Sequence, residues 1–186
     1  TYLSLQKISF GCQTHPILQD YSTNIEAGCP LLVHGPSGSG KSTFCRVLMG
    51  KQPYTGLISL HKNHTNHDPN RPDWMMITPH DRIPSLPIVA YFDHIDPAQI
   101  ENVCQCVELT LPQHWQRMLT HQLSSGQWQR LALARALFWR PTVLILDEVF
   151  CHMEQALAVR LLQGIVRQRS SDITVMVSHQ LVLQHV

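Results

Sequence analysis

Charge is scarce in this chain. Asp, Glu, Lys and Arg together make up 15% of its 186 residues, and the formal net charge is +1 with histidine neutral. Ordinary globular proteins carry about a quarter charged residues. A protein held to nucleic acid by phosphate electrostatics needs a clustered basic face, so no nucleic-acid partner is expected. Long apolar runs are also missing: nothing approaches the roughly 18–20 residues that cross a bilayer. The first ten residues are mixed rather than basic then apolar, so no leader peptide is visible. An initiator Met is lacking too, which suggests a piece excised from a longer chain. Six cysteines are present, at positions 12, 29, 45, 104, 106 and 151. They form no CxxC pair and no zinc spacing, and reduced thiols are expected. His61, His64 and His67 fall in a run rich in Asn, Asp and Pro. That composition reads as an irregular surface loop rather than a metal site.

The length suits one domain with a real core, and 44% of its residues are hydrophobic. Tyr2–Phe10 alternates like a half-buried strand, with a second short strand near Tyr21–Ile25. Glu26–Pro30 is a turn, and Leu31–His34 a short buried strand running into a Gly/Ser-rich loop. A helical pattern follows over Lys41–Met49, then an edge strand over Leu57–Leu60 and a buried strand over Trp74–Thr78. Pro79–Pro87 reads as irregular. Helices are predicted over Pro97–Leu109, Pro112–Leu119, Ser125–Phe138 and Glu154–Gln168. Val143–Leu146 and Ile173–Val177 are fully apolar strands. Apolar strands without polar alternation, separated by helices, indicate a parallel sheet covered on both faces.

Two stretches carry recognisable chemistry. Gly35-Pro36-Ser37-Gly38-Ser39-Gly40-Lys41-Ser42-Thr43 fits GxxxxGK[ST], the P-loop, between an apolar strand and a helix. Glycines let backbone N–H groups turn inward around phosphates, and the helix aims its positive dipole end at them. Lys41 would reach the β- and γ-phosphates, and the Ser42 hydroxyl would ligate Mg²⁺. The second stretch is Val143–Leu146 followed by Asp147 and Glu148. It delivers two acids to the C-terminal end of a strand, where open α/β sheets bind ligands. Asp147 would hold Mg²⁺ and Glu148 would act as general base toward the attacking water.

A third stretch, Leu123-Ser124-Ser125-Gly126-Gln127, runs into Gln129-Arg130 and a helix that ends before Arg140-Pro141. It resembles the LSGGQ signature of ATP-binding cassette (ABC) ATPases. The order of P-loop, signature, Walker B acids and a final histidine, His179 in Val177-Ser178-His179-Gln180, resembles the nucleotide-binding domain of an ABC transporter. The resemblance spans about Leu3 to His179. It implies an α/β P-loop NTPase fold. The mostly parallel sheet is covered by helices, with a small N-terminal antiparallel β subdomain and a short helical subdomain over about 81–138. It also implies head-to-tail dimers, in which the P-loop of one subunit faces the signature of the other across ATP. In that arrangement Ser124, Ser125, Gly126 and Gln127 would meet the γ-phosphate of the partner's nucleotide. His179 would reach the γ-phosphate of its own subunit.

Several positions depart from the family pattern. Ser125 replaces the first Gly of the signature. The Q-loop Gln, a Mg²⁺ ligand and sensor of the membrane partner, falls on His80 in Thr78-Pro79-His80-Asp81. The adenine-stacking aromatic falls on Cys12, which cannot stack, so Phe10 or another aromatic would have to substitute. The D-loop Asp falls on Glu154, and Val149 follows Glu148 where Pro or Ala is usual. The span from Lys41 to His80 is compact, as in exporter-type cassettes, and the C-terminal end looks truncated.

The resemblance therefore implies an ATPase on the cytoplasmic side of a membrane, with ATP and Mg²⁺ as cofactors. Its partners would be a transmembrane domain and a second cassette. The alternative is a catalytically weak regulatory half of an asymmetric dimer. Leu86, Ile88, Val89, Tyr91 and Phe92 either meet the membrane partner or form a small local core.

Overall fold

The computed structural model describes residues 1–12, 14–62, 73–79, 85–93, 95–151 and 153–178. In chain order the first elements are β1 (Tyr2–Cys12), β2 (His15–Glu26), β3 (Leu31–Val33), α1 (Lys41–Leu48), β4 (Thr55–His61) and β5 (Trp74–Ile77). There follow α2 (Ile88–Tyr91), α3 (Pro97–Cys106), α4 (Ser125–Trp139), β6 (Val143–Asp147), α5 (Gln155–Gln168) and β7 (Ile173–Val177). No helix among the described residues is long and apolar enough to cross a membrane.

β1 lies between β2 and β4 in an antiparallel sheet. Its inward residues are Leu3 and Leu5, then Ile8 and Phe10, so the alternation slips by one residue midway. A bulge causes the slip. The β1–β2 register shifts between Leu5 and Ile8, and Lys7 stands at φ 50 with its N–H donating to Ser22 Oγ. An extra residue flips the faces, because side chains in a strand repeat every two residues. Opposite the bulge, Gly56 has φ 101, and a Cβ there would sit 2.4 Å from the Lys7 carbonyl oxygen. Only glycine fits that approach.

The second sheet is parallel, in the order β3-β7-β6-β5. Every residue of β6 and β7 is buried. Their side chains divide cleanly between two faces. Val143, Ile145, Ile173, Val175 and Val177 pack toward α1 and the antiparallel sheet. Leu144, Leu146 and Met176 pack into the helical layer with α4 and α5. Burial on both faces explains why these strands read as unbroken apolar runs.

The helical layer differs from its sequence pattern in two places. Pro112–Leu119 is not a helix but a single 3₁₀ turn, Trp115–Arg117. Trp115 is buried and its indole N–H donates to Glu101 Oε1 at 2.9 Å. Beyond it the chain is extended, because it pairs with the segment before α2: Ile88 N–H donates to the Met118 carbonyl and Thr120 N–H to the Leu86 carbonyl. Tertiary pairing overrides helical periodicity here. The second difference is α2, a four-residue helix that short-range pattern does not announce. Ile88 and Phe92 are fully buried, and Tyr91 packs on Trp128 beneath the Arg135 guanidinium. Ile88, Val89, Tyr91 and Phe92 thus pack in the core around α2.

At the sheet end remote from the P-loop, Arg169 is 1% exposed. It donates to Pro141 O at 2.8 Å, Ile173 O at 3.0 Å and Thr174 Oγ1 at 3.2 Å, tying α5 to the starts of β6 and β7. Arg169→Ala is expected to lower stability by about 3 kcal/mol, from lost charged hydrogen bonds and an unfilled void. Urea unfolding measures this directly.

Candidate functional site

The P-loop residues 34–40 join β3 to α1. Gly40 precedes α1 at φ 92, and a Cβ there would lie 2.2 Å from Ile17 Cγ2. Gly38 is also left-handed, at φ 78, but faces open space. Gly35 and Gly40 are half-buried; Pro36, Ser37, Gly38 and Ser39 are exposed. Ser39 N–H donates to the Pro36 carbonyl, and Phe44 N–H to the Gly40 carbonyl at 2.8 Å, closing the first turn of α1. Lys41 is only 7% exposed. Its ammonium donates to the carbonyls of Gly35 at 3.0 Å and Pro36 at 2.8 Å, so the charge is folded back over the loop. Gly40→Ala meets both a strained φ and Ile17. It is expected to lower stability by about 1–3 kcal/mol. Urea unfolding beside the parent chain checks it.

Ser42, on the first turn of α1, donates its hydroxyl to Asp147 Oδ1 at 3.2 Å, across 105 residues of sequence. Asp147 ends β6 and is 5% exposed. Burial pushes its carboxyl above the ordinary aspartate range; the Ser42 hydrogen bond opposes the shift, and the neighbouring Glu148 adds to it. Glu148 is half-buried and left-handed at φ 55. Its N–H donates to the Val177 carbonyl at 3.1 Å, which locks the turn after β6 to the end of β7. Ser42, Asp147 and Glu148 therefore converge at the C-terminal edge of the parallel strands, where such sheets place ligands. Thr43, half-buried, follows Ser42 on α1.

The raised Asp147 carboxyl has a stability consequence. Between its unfolded and folded pKa values the folded chain holds more protons. The stabilisation this gives is complete below the ordinary value and is lost as pH rises through the raised one. Asp147→Asn is thus expected to raise the melting temperature at pH 7. Scanning calorimetry tests it.

Beside the P-loop a cavity of about 410 Å³ opens toward β1 and β2. Phe10, Ile17, Leu18, Tyr21 and Phe44 line it together with the P-loop. Phe10 and Tyr21 both pack on Phe44, with ring centroids 6.2 and 6.4 Å away. Cys12 is exposed and does not line the cavity. Sequence reasoning singled out Phe10 but missed Ile17, Leu18 and Tyr21. The strand expected near Tyr21–Ile25 runs from His15 to Glu26, and that extension brings Ile17 and Leu18 to the cavity.

Ser124 caps α4: its Oγ accepts from Gln127 N–H at 3.3 Å, while Gln127 Oε1 accepts from Ser124 N–H at 2.9 Å. Ser124 and Ser125 are exposed; Gly126 and Gln127 are half-buried. None of the four lines the cavity. The Ser124 oxygen is used as an acceptor in this cap, which leaves its O–H free to donate outward. His80 and His179 lie outside the described residues. Ser178 is buried and donates its N–H to the Val33 carbonyl.

Comparison with known proteins places this geometry. A family model for the ABC transporter matches residues 18–151. An iron(III) import ATP-binding protein of Pectobacterium atrosepticum is 30% identical over 196 residues, covering 95% of this chain and 55% of its own. A zinc import ATP-binding protein of Vibrio parahaemolyticus is 29% identical, covering 96% of this chain and 68% of its own. The chain spans about half the length of the first curated relatives it matches. Among solved structures, a bacterial Atm1-family ABC exporter with ATP bound superposes with TM-score 0.81 at 24% identity, covering 98% of this chain and 35% of that one. A putative ABC transporter ATP-binding protein from Pyrococcus furiosus superposes with TM-score 0.80 at 18% identity, covering 97% and 92%. At these identities the structures speak for the α/β P-loop fold alone. The two sequence relatives serve import, so the exporter-like part of the expectation draws no support from them.

Proposed function

The chain belongs to the ABC transporter ATP-binding family, and from that premise we propose that it binds and hydrolyses ATP to power transport of a substrate across a membrane. The observation that carries this reading is the Ser42–Asp147 hydrogen bond, which sets a hydroxyl and a carboxylate side by side beneath the P-loop. That pair is the oxygen donor set Mg²⁺ prefers, and the adjoining cavity of about 410 Å³ is in the size range of small-molecule sites. The residues present therefore fit MgATP.

In this reading Gly35, Ser37, Gly38, Ser39, Gly40 and Thr43 wrap the phosphates with backbone N–H groups and hydroxyls, and Pro36, which has no N–H, shapes the loop. Lys41 turns from the Gly35 and Pro36 carbonyls to the β- and γ-phosphates. Ser42 and Asp147, with His80, hold Mg²⁺, which when bound neutralises developing charge on the phosphates. Glu148 orients the attacking water and takes its proton. His179 contacts the γ-phosphate. Ser124, Ser125, Gly126 and Gln127 face the nucleotide of a second cassette, and the exposed N-terminus of α4 with its outward hydroxyl suits that role. A transmembrane domain, on the same chain or another, is the partner that hydrolysis drives.

The test is Mg²⁺-dependent phosphate release by the chain at high protein concentration, with mass measured with and without ATP. Turnover that rises with the square of concentration, beside an ATP-dependent dimer, supports a working cassette. ATP binding without turnover favours the catalytically weak alternative.

A further inference from the structure

Helix α3 closes on a position whose geometry favours glycine. Leu109 N–H donates to the Cys104 carbonyl at 2.9 Å and Glu108 N–H to the Gln105 carbonyl at 3.0 Å, the paired bonds of a Schellman cap. That cap places a left-handed residue at position 108, and Glu108 stands there at φ 52. Glycine takes this conformation freely, whereas a glutamate meets a steric cost. Backbone strain of this kind persists where the surroundings hold it, and it points to a use for the side chain.

Three helices meet at Glu108. Its carboxylate accepts from Arg160 of α5 on both oxygens, at 2.8 Å from Nε and 2.9 Å from Nη2. Its main-chain carbonyl accepts from Arg130 Nη1 of α4 at 2.7 Å. Arg130 Nε in turn donates to the Gly126 carbonyl at 3.3 Å, inside the Ser124–Gln127 stretch. The Glu108 and Arg160 side chains are 45% and 57% exposed. Exposed ion pairs contribute little to stability, but a planar two-point bond fixes direction. The hydrogen bond to Arg160 also holds the Glu108 carboxyl below the ordinary glutamate range.

Resting on the nucleotide reading above, we propose that Glu108 is a positioning residue for the Ser124–Gln127 stretch. By tying α4 to α5 it sets the exposed N-terminus of α4 at a fixed angle to residues 148–154, which carry Glu148 and lead into α5. The nucleotide of a second cassette then meets α4 while this chain's own nucleotide meets Glu148. Without the tie each half stays intact and the angle between them is free. Glu108 thus acts on the closing of two cassettes across ATP, and ATP capture by one chain stays with Lys41 and the P-loop.

Glu108→Gly suits the left-handed turn and removes only the carboxylate, so the urea midpoint is expected to hold. ATP affinity by calorimetry on dilute protein is expected to stay within about twofold of the parent's, while the protein concentration that gives half dimer with MgATP rises about tenfold, a coupling of ordinary size. Glu108→Arg, which sets two cations side by side, is expected to raise it further. Glu108→Arg combined with Arg160→Glu is expected to return it to within about threefold of the parent, because the exchanged pair restores the tie. Parent-like dimer formation in Glu108→Gly overturns the inference, and so does an exchange that recovers nothing. A dimer defect matched by lost ATP affinity or a lowered urea midpoint overturns it too, since Glu108 would then serve the fold alone. In each of these cases a parent that binds ATP and dimerises keeps the nucleotide reading intact. A parent that binds no ATP, or stays monomeric with it, ends that reading and this inference together.

Discussion

Glu148→Gln is expected to cut ATP turnover by at least about a hundredfold, the range in which positioned general bases act, while ATP affinity stays near that of the parent. The geometry explains the separation. Glu148 is placed by its main chain, with φ 55 and its N–H bonded to the Val177 carbonyl. An amide side chain leaves that placement intact, so the carboxylate's proton affinity changes and its position does not. In the proposed function phosphate binding lies with Lys41 at the start of α1 and with the loop before it, away from the turn after β6. An ATP-held dimer should therefore accumulate, seen as a doubled mass at saturating ATP. Turnover unchanged in the Gln variant would remove Glu148 from its assigned role. The assay also exposes any effect of Glu154, one methylene longer than the family's Asp, because a misplaced D-loop would already depress the parent rate.

Lys41→Ala is expected to weaken ATP binding by about a hundredfold, as loss of a charged contact of roughly 3 kcal/mol implies. The same change should cost the fold little. The buried ammonium is satisfied by two carbonyls of its own loop; once it is gone, Pro36, at the exposed rim, can bond water instead. Lys41→Arg is not a rescue, since a planar fork cannot occupy a pocket shaped around a point charge. Calorimetric titration gives the affinity and urea unfolding the stability. A large stability loss in Lys41→Ala would mean the lysine is a structural staple of the loop.

Legibility of this molecule followed the range of the forces involved. The P-loop, the two acids after β6 and the cap at Ser124 were readable because each is specified by a few consecutive residues. β6 and β7 were readable because burial on both faces leaves no polar residue to break the run. The 3₁₀ turn at Trp115 and the pairing of Thr120 with Leu86 were not: they depend on partners 14 and 34 residues away, which local periodicity does not register. Ile17 was missed for another reason. The expected strand began near Tyr21, whereas β2 begins at His15, and only the approach of Ile17 to Gly40 reveals it beside the P-loop. The slip of faces along β1 was hidden as well, since Lys7 carries no glycine to mark the bulge.

The position of β7 between β3 and β6 has a consequence for how the chain acquires its shape. Leu31 pairs with Val175, and Leu144 with Thr174. The strand that supports the P-loop therefore has no neighbour in its sheet until nearly the whole described chain has been synthesised. The β1–β2–β4 sheet needs only the first third and can close early. On a ribosome emitting the chain from its N-terminus, the P-loop would hang from an unpaired three-residue strand while α3 and α4 collapse around Trp115 and Trp128. Pairings so distant in sequence form slowly, because long loops must be closed before any contact rewards them. The frame of the P-loop thus waits for β7: nascent chains halted before it would carry every residue of the loop and still lack the strand that holds it.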